Sequence, residues 1–221
     1  QIIKLDTGYN PDLPDFYPPQ IYSQADKLSY PDPLCLKLRR ELENYTGYPS
    51  DWLACGNGSD ELIELVIKTF ISPQDGILIC PPTFPMYELC GKIQDAKIQK
   101  APRDNDFQVC LNSILSNLDA TTKLIFIDSP ANPTGNLISQ EILLELLKLN
   151  LIVVIDEAYL EYCSQDFAPL VKIYPNLILL RTFSKWAGIA GLRIGYMIAN
   201  PQIIEFIFKI KQPYNVNSLA Q

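Results

Sequence analysis

Residues 151–159 read Leu-Ile-Val-Val-Ile-Asp-Glu-Ala-Tyr, a run of five apolar residues that ends in a carboxylate. Such a run is too short for a typical helix, and fully apolar strands are typical of a sheet covered on both faces. Three similar runs occur, at Ile77–Cys80, Leu124–Ile127 and Leu177–Leu180. Helical patterns lie between several of them. The sequence therefore predicts an α/β fold in which helices sandwich a mostly parallel sheet.

Four helices and one further strand are indicated outside these runs. Asp32-Pro33 is typical of a helix start, and apolar residues at helical spacing follow it as far as Tyr45. The other predicted helices begin at Ser59 or cover Ser139–Leu149 and Pro201–Lys211, and Ile194–Ala199 is predicted to be a strand.

The ends of the chain differ from its centre. Residues 1–30 are rich in proline, tyrosine and aspartate and lack periodicity, so we expect an N-terminal arm. Residues 31–221 are predicted to form one large domain, with a linker beginning at about residue 212. Pro213–Gln221 resembles the start of another helix, and we expect the sequence to be a piece of a longer protein.

Composition excludes several classes of function. The net charge of −7, with no basic run, argues against a nucleic-acid partner, and no apolar stretch is long enough to cross a bilayer. The chain has no histidine, which excludes Ser-His-Asp and Cys-His catalysis within it. Six cysteines without a C-x-x-C pair favour reduced thiols. The start does not resemble a signal peptide, so we expect a cytoplasmic location.

Two ionisable residues follow predicted strands, where open α/β sheets bind their ligands. Asp156 ends the run at 151–155, and a buried carboxylate there needs a cation, such as a protonated pyridine nitrogen. A helix N-cap is an equally good interpretation of Asp156. Lys185 follows the run Leu177–Leu180 and would become nucleophilic in a dry pocket. Taken alone, Lys185 is more typical of a surface lysine.

Three further segments suggest ligand contacts. Arg193 lies in an apolar, glycine-flanked segment, where it could bind an anion or form a structural ion pair. The glycine turn at 56–61 opens a helix whose free N–H groups could bind an anion, although many helices begin in this way. Asn132 precedes a proline, so its amide could face a ligand or belong to a plain turn.

In this order, the segments resemble one family along nearly the whole chain, the fold-type-I aminotransferases of class I and II that depend on pyridoxal 5′-phosphate (PLP). Three segments resemble its histidinol-phosphate branch: Tyr30-Pro31-Asp32-Pro33, residues 56–61, and Pro82-Thr83-Phe84-Pro85-Met86-Tyr87. The resemblance implies a fold-type-I PLP-transferase fold and a homodimer with shared sites. The family's small C-terminal domain, which supplies the arginines for the substrate's acidic group, has no counterpart in these 221 residues.

The resemblance also implies catalytic roles. Lys185 would form the Schiff base with PLP and then move a proton between the substrate α-carbon and the cofactor C4′. Asp156 would pair with the pyridinium nitrogen, and Tyr159 and Asn132 would bond the ring O3′.

Further residues would bind the rest of the cofactor. Phe84 would stack on its ring, and Tyr30 would reach the phosphate bound by the neighbouring subunit. The residues expected to bind the phosphate within the same chain are Ser59, Asp60, Ser184 and Arg193.

The implied reaction is transamination between L-histidinol phosphate and 2-oxoglutarate, which gives imidazole acetol phosphate and glutamate in histidine biosynthesis. An aromatic amino-acid aminotransferase, a threonine-phosphate decarboxylase-like enzyme and a non-catalytic remnant of the fold are the alternatives. A nucleotide-binding doubly wound domain is disfavoured, because no G-x-G-x-x-G follows the first strand. The chain departs from the family at Ala131, where asparagine is common, at Phe84, where tyrosine is common, and in its segment Leu5–Pro11.

Overall fold

The computed structural model describes residues 29–221. The predicted arm at 1–30, apart from its last two residues, and the segment Leu5–Pro11 lie outside the described residues. Seven strands are found in the described part: β1 (Leu53–Asn57), β2 (Gly76–Ile79), β3 (Lys97–Lys100), β4 (Thr122–Asp128), β5 (Ile152–Asp156), β6 (Leu177–Thr182) and β7 (Ile194–Ala199).

Helices connect most of these strands. The α-helices of the described part are α1 (Leu36–Thr46), α2 (Gly58–Phe70), α3 (Met86–Ile93), α4 (Leu111–Asn117), α5 (Gln140–Leu147), α6 (Ala168–Val171) and α7 (Pro201–Ile210). Short 3₁₀ turns cover Ser50–Trp52, Leu160–Tyr162 and Ala190–Leu192. None of the helices at 29–221 is both long and apolar enough to cross a membrane.

The strands form one sheet in the order β1-β7-β6-β5-β4-β2-β3. The pairs from β3 to β6 are parallel, whereas β7 runs antiparallel to both β6 and β1. The prediction of a mostly parallel sheet with helices is confirmed. The carboxyl ends of β4, β5 and β6 consequently meet at one edge, which is where the polar residues after the apolar runs lie.

Hydrophobic cores cover both faces of the sheet. Val153 and Ile155 of β5 belong to one buried cluster and Val154 belongs to the other, because successive side chains of a strand point to opposite faces. All three are fully buried. Each such side chain contributes about 1.5–3 kcal/mol to folding, so the central strands hold the site on a rigid base.

Two helix predictions are wrong, the first of them at the start of α1. The first helix begins at Leu36 rather than at Pro33, because Cys35 adopts the left-handed conformation with φ of 50°. The Asp32 carboxylate still caps this turn, since it accepts hydrogen bonds from the N–H groups of Leu34 and Leu36 at 2.9 and 2.8 Å.

The helix expected in Pro213–Gln221 is replaced by turns. Side chains of this segment bond distant backbone: the Asn217 amide donates to the carbonyl of Leu192 and the Gln221 amide to that of Asp32. Val216 is fully buried. These tertiary contacts hold the segment in turns against the domain instead of in a helix.

Candidate active site

A cleft of about 590 Å³, measured to its open mouth, lies at the carboxyl edge of the parallel strands. The residues lining the cleft come from the ends of β4, β5 and β6, from α2 and α3, and from the loops beside them. They are Ser59, Asp60, Phe84, Tyr87, Asp128, Pro130, Asn132, Asp156, Ala158, Tyr159, Thr182, Ser184, Lys185 and Arg193.

Nine of the ten candidate residues from the sequence therefore come together in one cleft. The exception is Tyr30, whose side chain is 80% exposed and stacks on the ring of Tyr214, with 4.6 Å between centroids. This location leaves Tyr30 available to a neighbouring molecule, as its predicted role requires. The roles of all ten residues stay predictions at this point.

Asp156 lies at the floor of the cleft and is buried. Its carboxylate accepts a hydrogen bond from the Tyr87 hydroxyl at 2.8 Å and one from the N–H of Ala158 at 3.1 Å. Burial raises the pKa of Asp156 to about 7, although the bond from Tyr87 opposes the rise. An aspartate in this state is stabilised in its charged form by a cation that enters the cleft.

Asp128 ends β4 beside Asp156 and is also buried, but it already has a cationic partner. The guanidinium of Arg103 lies 2.6 Å from its Oδ1, and its Oδ2 accepts the N–H of Asn132 at 2.8 Å. Burial raises the pKa of Asp128, and the Asn132 N–H and Arg103 offset part of that rise. The pair fixes the backbone of Asn132 at the cleft wall.

Lys185 follows β6 and is half-buried in the cleft. Its Nζ lies 5.6 Å from the centroid of the Tyr159 ring, a distance that permits a cation–π contact. The interpretation of Lys185 as a solvent-facing surface lysine is therefore wrong. Its amine shares the cleft with Asp156 and Tyr159.

The start of α2 and Arg193 meet at one end of the cleft. Arg193 lies in the left-handed region with φ of 56°, and its Nη2 is 2.9 Å from Asp60 Oδ2. Its Nη1 lies 3.4 Å from Ser184 Oγ. A Cβ at Gly58 would lie 2.5 Å from the guanidinium, so only glycine lets Arg193 approach the helix start so closely. The ion-pair interpretation of Arg193 is thus correct, and the same guanidinium also faces the cleft.

A comparison with known families agrees with this geometry. The model of the family described as "Aminotransferase class I and II" matches residues 2–221. The chain belongs to the class I and II aminotransferases.

Individual relatives indicate which branch of this aminotransferase family the chain is similar to. The chain is 43% identical, over its full length and 62% of the relative's length, to a histidinol-phosphate aminotransferase of Dehalococcoides mccartyi. A crystal structure of the enzyme of that name from Clostridium acetobutylicum is similar with a TM-score of 0.79 and 31% identity, over 87% of this chain and 59% of that one. The Sinorhizobium meliloti enzyme, solved in complex with pyridoxal-5′-phosphate, shares the fold with a TM-score of 0.83 and 24% identity, over 91% of this chain and 56% of that one. The chain thus spans about three fifths of the length of these relatives.

Sequence reasoning missed three polar residues that line the cleft, Asp128, Tyr87 and Thr182, and also Arg103, which lies behind Asp128. Asp128 follows the apolar run Leu124–Ile127, which is the same signal that singled out Asp156 and could have identified it. Tyr87 is the last residue of the motif at 82–87, and Thr182 is the last residue of β6. Arg103 has no local signal, because its partner Asp128 lies 25 residues farther along the chain.

Proposed function

We propose that this chain is the cofactor-binding part of a PLP-dependent transaminase that acts on L-histidinol phosphate and 2-oxoglutarate. The observation that carries the proposal is the convergence of Lys185, Asp156 and Arg193, with six other predicted residues, on one cleft. The names of the relatives at 31% and 43% identity support L-histidinol phosphate as the amino donor, over the aromatic aminotransferase and decarboxylase alternatives.

The residues present fit PLP on chemical grounds. A buried carboxylate with a pKa of about 7 suits a protonated pyridine nitrogen, and Asp156 is such a group. The guanidinium of Arg193, the hydroxyl of Ser184 and the start of α2 together suit a phosphate, because helix N-termini and arginine both favour anions. Phe84, which packs edge-on against Tyr87 with 5.7 Å between centroids, offers a ring face for stacking.

When bound, PLP supplies an electron sink for the carbanion character that develops at the substrate α-carbon. Lys185 would hold the cofactor covalently, and its amine would be the base that carries a proton between the substrate α-carbon and C4′. A lysine suits this role in a chain without histidine. Asp156 would keep the ring nitrogen protonated, and Tyr159 and Asn132 would orient the ring by hydrogen bonds to O3′.

The proposal includes a cytoplasmic homodimer in which Tyr30 reaches the phosphate of the partner's cofactor. The exposure of Tyr30, which does not line the cleft of its own chain, supports this role. The division into an arm at 1–30 and a cofactor-binding domain from residue 31 stays a prediction.

The absorption spectrum of the full-length protein with PLP tests the cofactor. We expect the band of lysine-bound PLP in the wild type and its loss in Lys185→Ala. Lys172→Ala is the matched control, because Lys172 also lies over a tyrosine ring, with Nζ 4.8 Å from the Tyr48 centroid, but outside the cleft. A wild type without the band would refute PLP binding and would favour the non-catalytic alternative.

Steady-state rates test the identity of the amino donor. We expect kcat/KM with L-histidinol phosphate to exceed that with phenylalanine by about tenfold or more, because each value reports the stabilisation of one transition state. A preference for phenylalanine of about that size would replace the histidinol-phosphate proposal with the aromatic aminotransferase.

A further inference from the structure

Tyr87 is the cleft residue whose function the sequence did not suggest. It lies in the first turn of α3 and is fully buried. Its ring stacks on Phe126 of β4, with 4.7 Å between centroids and 5° between planes, and Phe84 packs against its edge. These contacts fix the ring, so the hydroxyl has a defined position at the floor of the cleft.

The Tyr87 hydroxyl donates to Oδ2 of Asp156 at 2.8 Å, while Oδ1 accepts the N–H of Ala158 at 3.1 Å. Both partners of the tyrosine–aspartate bond are buried, so water competes little for it. The two donors approach different oxygens, which fixes the plane of the carboxylate.

The charges around Asp156 make these donors necessary. Asp128 is its register partner on β4 and Asp60 lies across the cleft on α2, and both carboxylates disfavour a negative charge on Asp156. Arg103 compensates Asp128 directly, through an ion pair of 2.6 Å. The titratable or charged groups that face Asp156 or share its cleft are Tyr87 from α3, Asp128 from β4, Asp60 from α2, and Tyr159, Lys185 and Arg193 from the loops, with Arg103 behind Asp128.

Tyr87 is suited to be a permanent donor. Burial raises the pKa of its hydroxyl well above the ordinary value, and the neighbouring carboxylates raise it further. The hydroxyl therefore keeps its proton at every pH at which the protein works. A neutral donor that cannot lose its proton stabilises the ionised form of the carboxylate it contacts.

We propose that Tyr87 is a positioning residue that keeps Asp156 ionised and correctly oriented for the cofactor's ring nitrogen. The inference rests on the proposed function for its purpose, whereas the bond between Tyr87 and Asp156 can be tested without the cofactor. Helix α3 therefore covers the sheet and also supplies the Tyr87 hydroxyl, which stabilises the ionised form of Asp156.

The test is a pH titration of the Asp156 carboxyl group in the full-length protein freed of PLP. The titration is monitored by ¹³C NMR of labelled aspartate, and the Asp156 signal is assigned by its absence in Asp156→Asn. Tyr87→Phe keeps the stacked ring and removes the donor, so we expect the midpoint of Asp156 to rise by about one pH unit. Tyr196→Phe, which removes the hydroxyl of another buried tyrosine outside the cleft, should leave that midpoint unchanged.

A second variant gives the opposite sign. Incorporation of 3-fluorotyrosine at position 87 makes the hydroxyl a stronger donor, and we expect the midpoint of Asp156 to fall. If the role of Tyr87 were purely structural, the midpoint of Asp156 would be unchanged in both variants. This variant also keeps the inference testable if Tyr87→Phe does not fold.

The outcomes separate the inference from the proposed function. Midpoints that agree between the wild type and both position-87 variants would overturn the role of Tyr87, even if the wild type binds PLP. A wild type that does not bind PLP would overturn the proposed function, whereas opposite shifts of the midpoint would still establish the coupling of Tyr87 to Asp156.

Discussion

Asp128 and Asp156 end neighbouring parallel strands as direct register partners, so two buried carboxylates stand side by side at the floor of the cleft. Their partners differ. Asp128 has the guanidinium of Arg103, whereas Asp156 accepts hydrogen bonds from two neutral donors, the Tyr87 hydroxyl and the N–H of Ala158. Asp156 is therefore the carboxylate that remains available to a cationic ligand.

The pH dependence of stability should reveal this arrangement. The pKa of Asp156 is about 7 in the folded state against about 3.9 in an unfolded chain, so between these values the folded state binds more protons. The free energy of unfolding therefore falls as pH rises from about 4 to about 7. Without PLP, Asp156→Asn should be more stable than the wild type by roughly 1–3 kcal/mol at pH 8 and about equal to it at pH 4.

Denaturant unfolding of the full-length protein at both pH values measures that difference. Glu157 is buried and also has a pKa of about 7, but it is present in both proteins and cancels in the comparison. A stability gain of Asp156→Asn that is the same at pH 4 and pH 8 would contradict the raised pKa of Asp156.

The buried ion pair gives a second prediction. Arg103→Met leaves the Asp128 carboxylate buried without its cation, and we expect a loss of about 3–5 kcal/mol in the free energy of unfolding. The double variant Arg103→Met/Asp128→Asn should recover much of that loss, because it removes the unpaired charge. Lys148→Met breaks the exposed pair with Glu145 and should cost about 1 kcal/mol or less. Equal losses for Arg103→Met and Lys148→Met would show that burial does not matter to the first pair.

Gly195 gives a third prediction, about the end of the cleft where the start of α2 meets Arg193. A Cβ there would overlap the backbone of Gly58 and Ser59, so Gly195→Ala should push the start of α2 away from β7 and cost about 1–3 kcal/mol of stability. The same displacement should weaken PLP binding. Gly191→Ala is the control, because a Cβ at Gly191 meets nothing within 4 Å. Calorimetric unfolding and PLP titration of both variants measure these effects. Matching results for the two glycines would refute the close approach of Gly195 to the start of α2.

The proposed sharing of the site between two subunits predicts complementation between two inactive variants. If Tyr30 serves the partner's cofactor, a mixed dimer of Tyr30→Ala and Lys185→Ala contains one site with both native residues. Random exchange of subunits should then restore about a quarter of wild-type activity, because half of the dimers are mixed and each has one intact site. Activity that does not rise on mixing, with exchange verified by mass spectrometry, would place Tyr30 outside the partner's site.

The sequence predicted the sheet well, because its central strands are buried on both faces and are therefore uniformly apolar. Two strands were missed. The strand β3, Lys-Ile-Gln-Lys, is partly exposed and carries no such run, and the apolar run of β1, Leu-Ala-Cys-Gly-Asn, ends at a glycine after three residues. The start of α1 was placed too early, because the left-handed turn at Cys35 has no sequence signal comparable to glycine. Tertiary bonds override local preference in residues 212–221, where the amides of Asn217 and Gln221 bond distant carbonyls.

The site was predictable where polar residues follow apolar runs, as at Asp156 and Lys185. It was not predictable where a contact joins distant parts of the chain. Tyr87 and Asp156 are 69 residues apart, and only folding brings the hydroxyl to the carboxylate.

The most direct test of the central claim is to incubate the full-length protein with PLP, reduce it with borohydride, and locate the modified residue by peptide mass spectrometry. We expect a pyridoxyl phosphate group on Lys185 at a stoichiometry near one per chain. Modification of a different lysine, or no stable adduct, would contradict the assignment of Lys185 and the transaminase built around it.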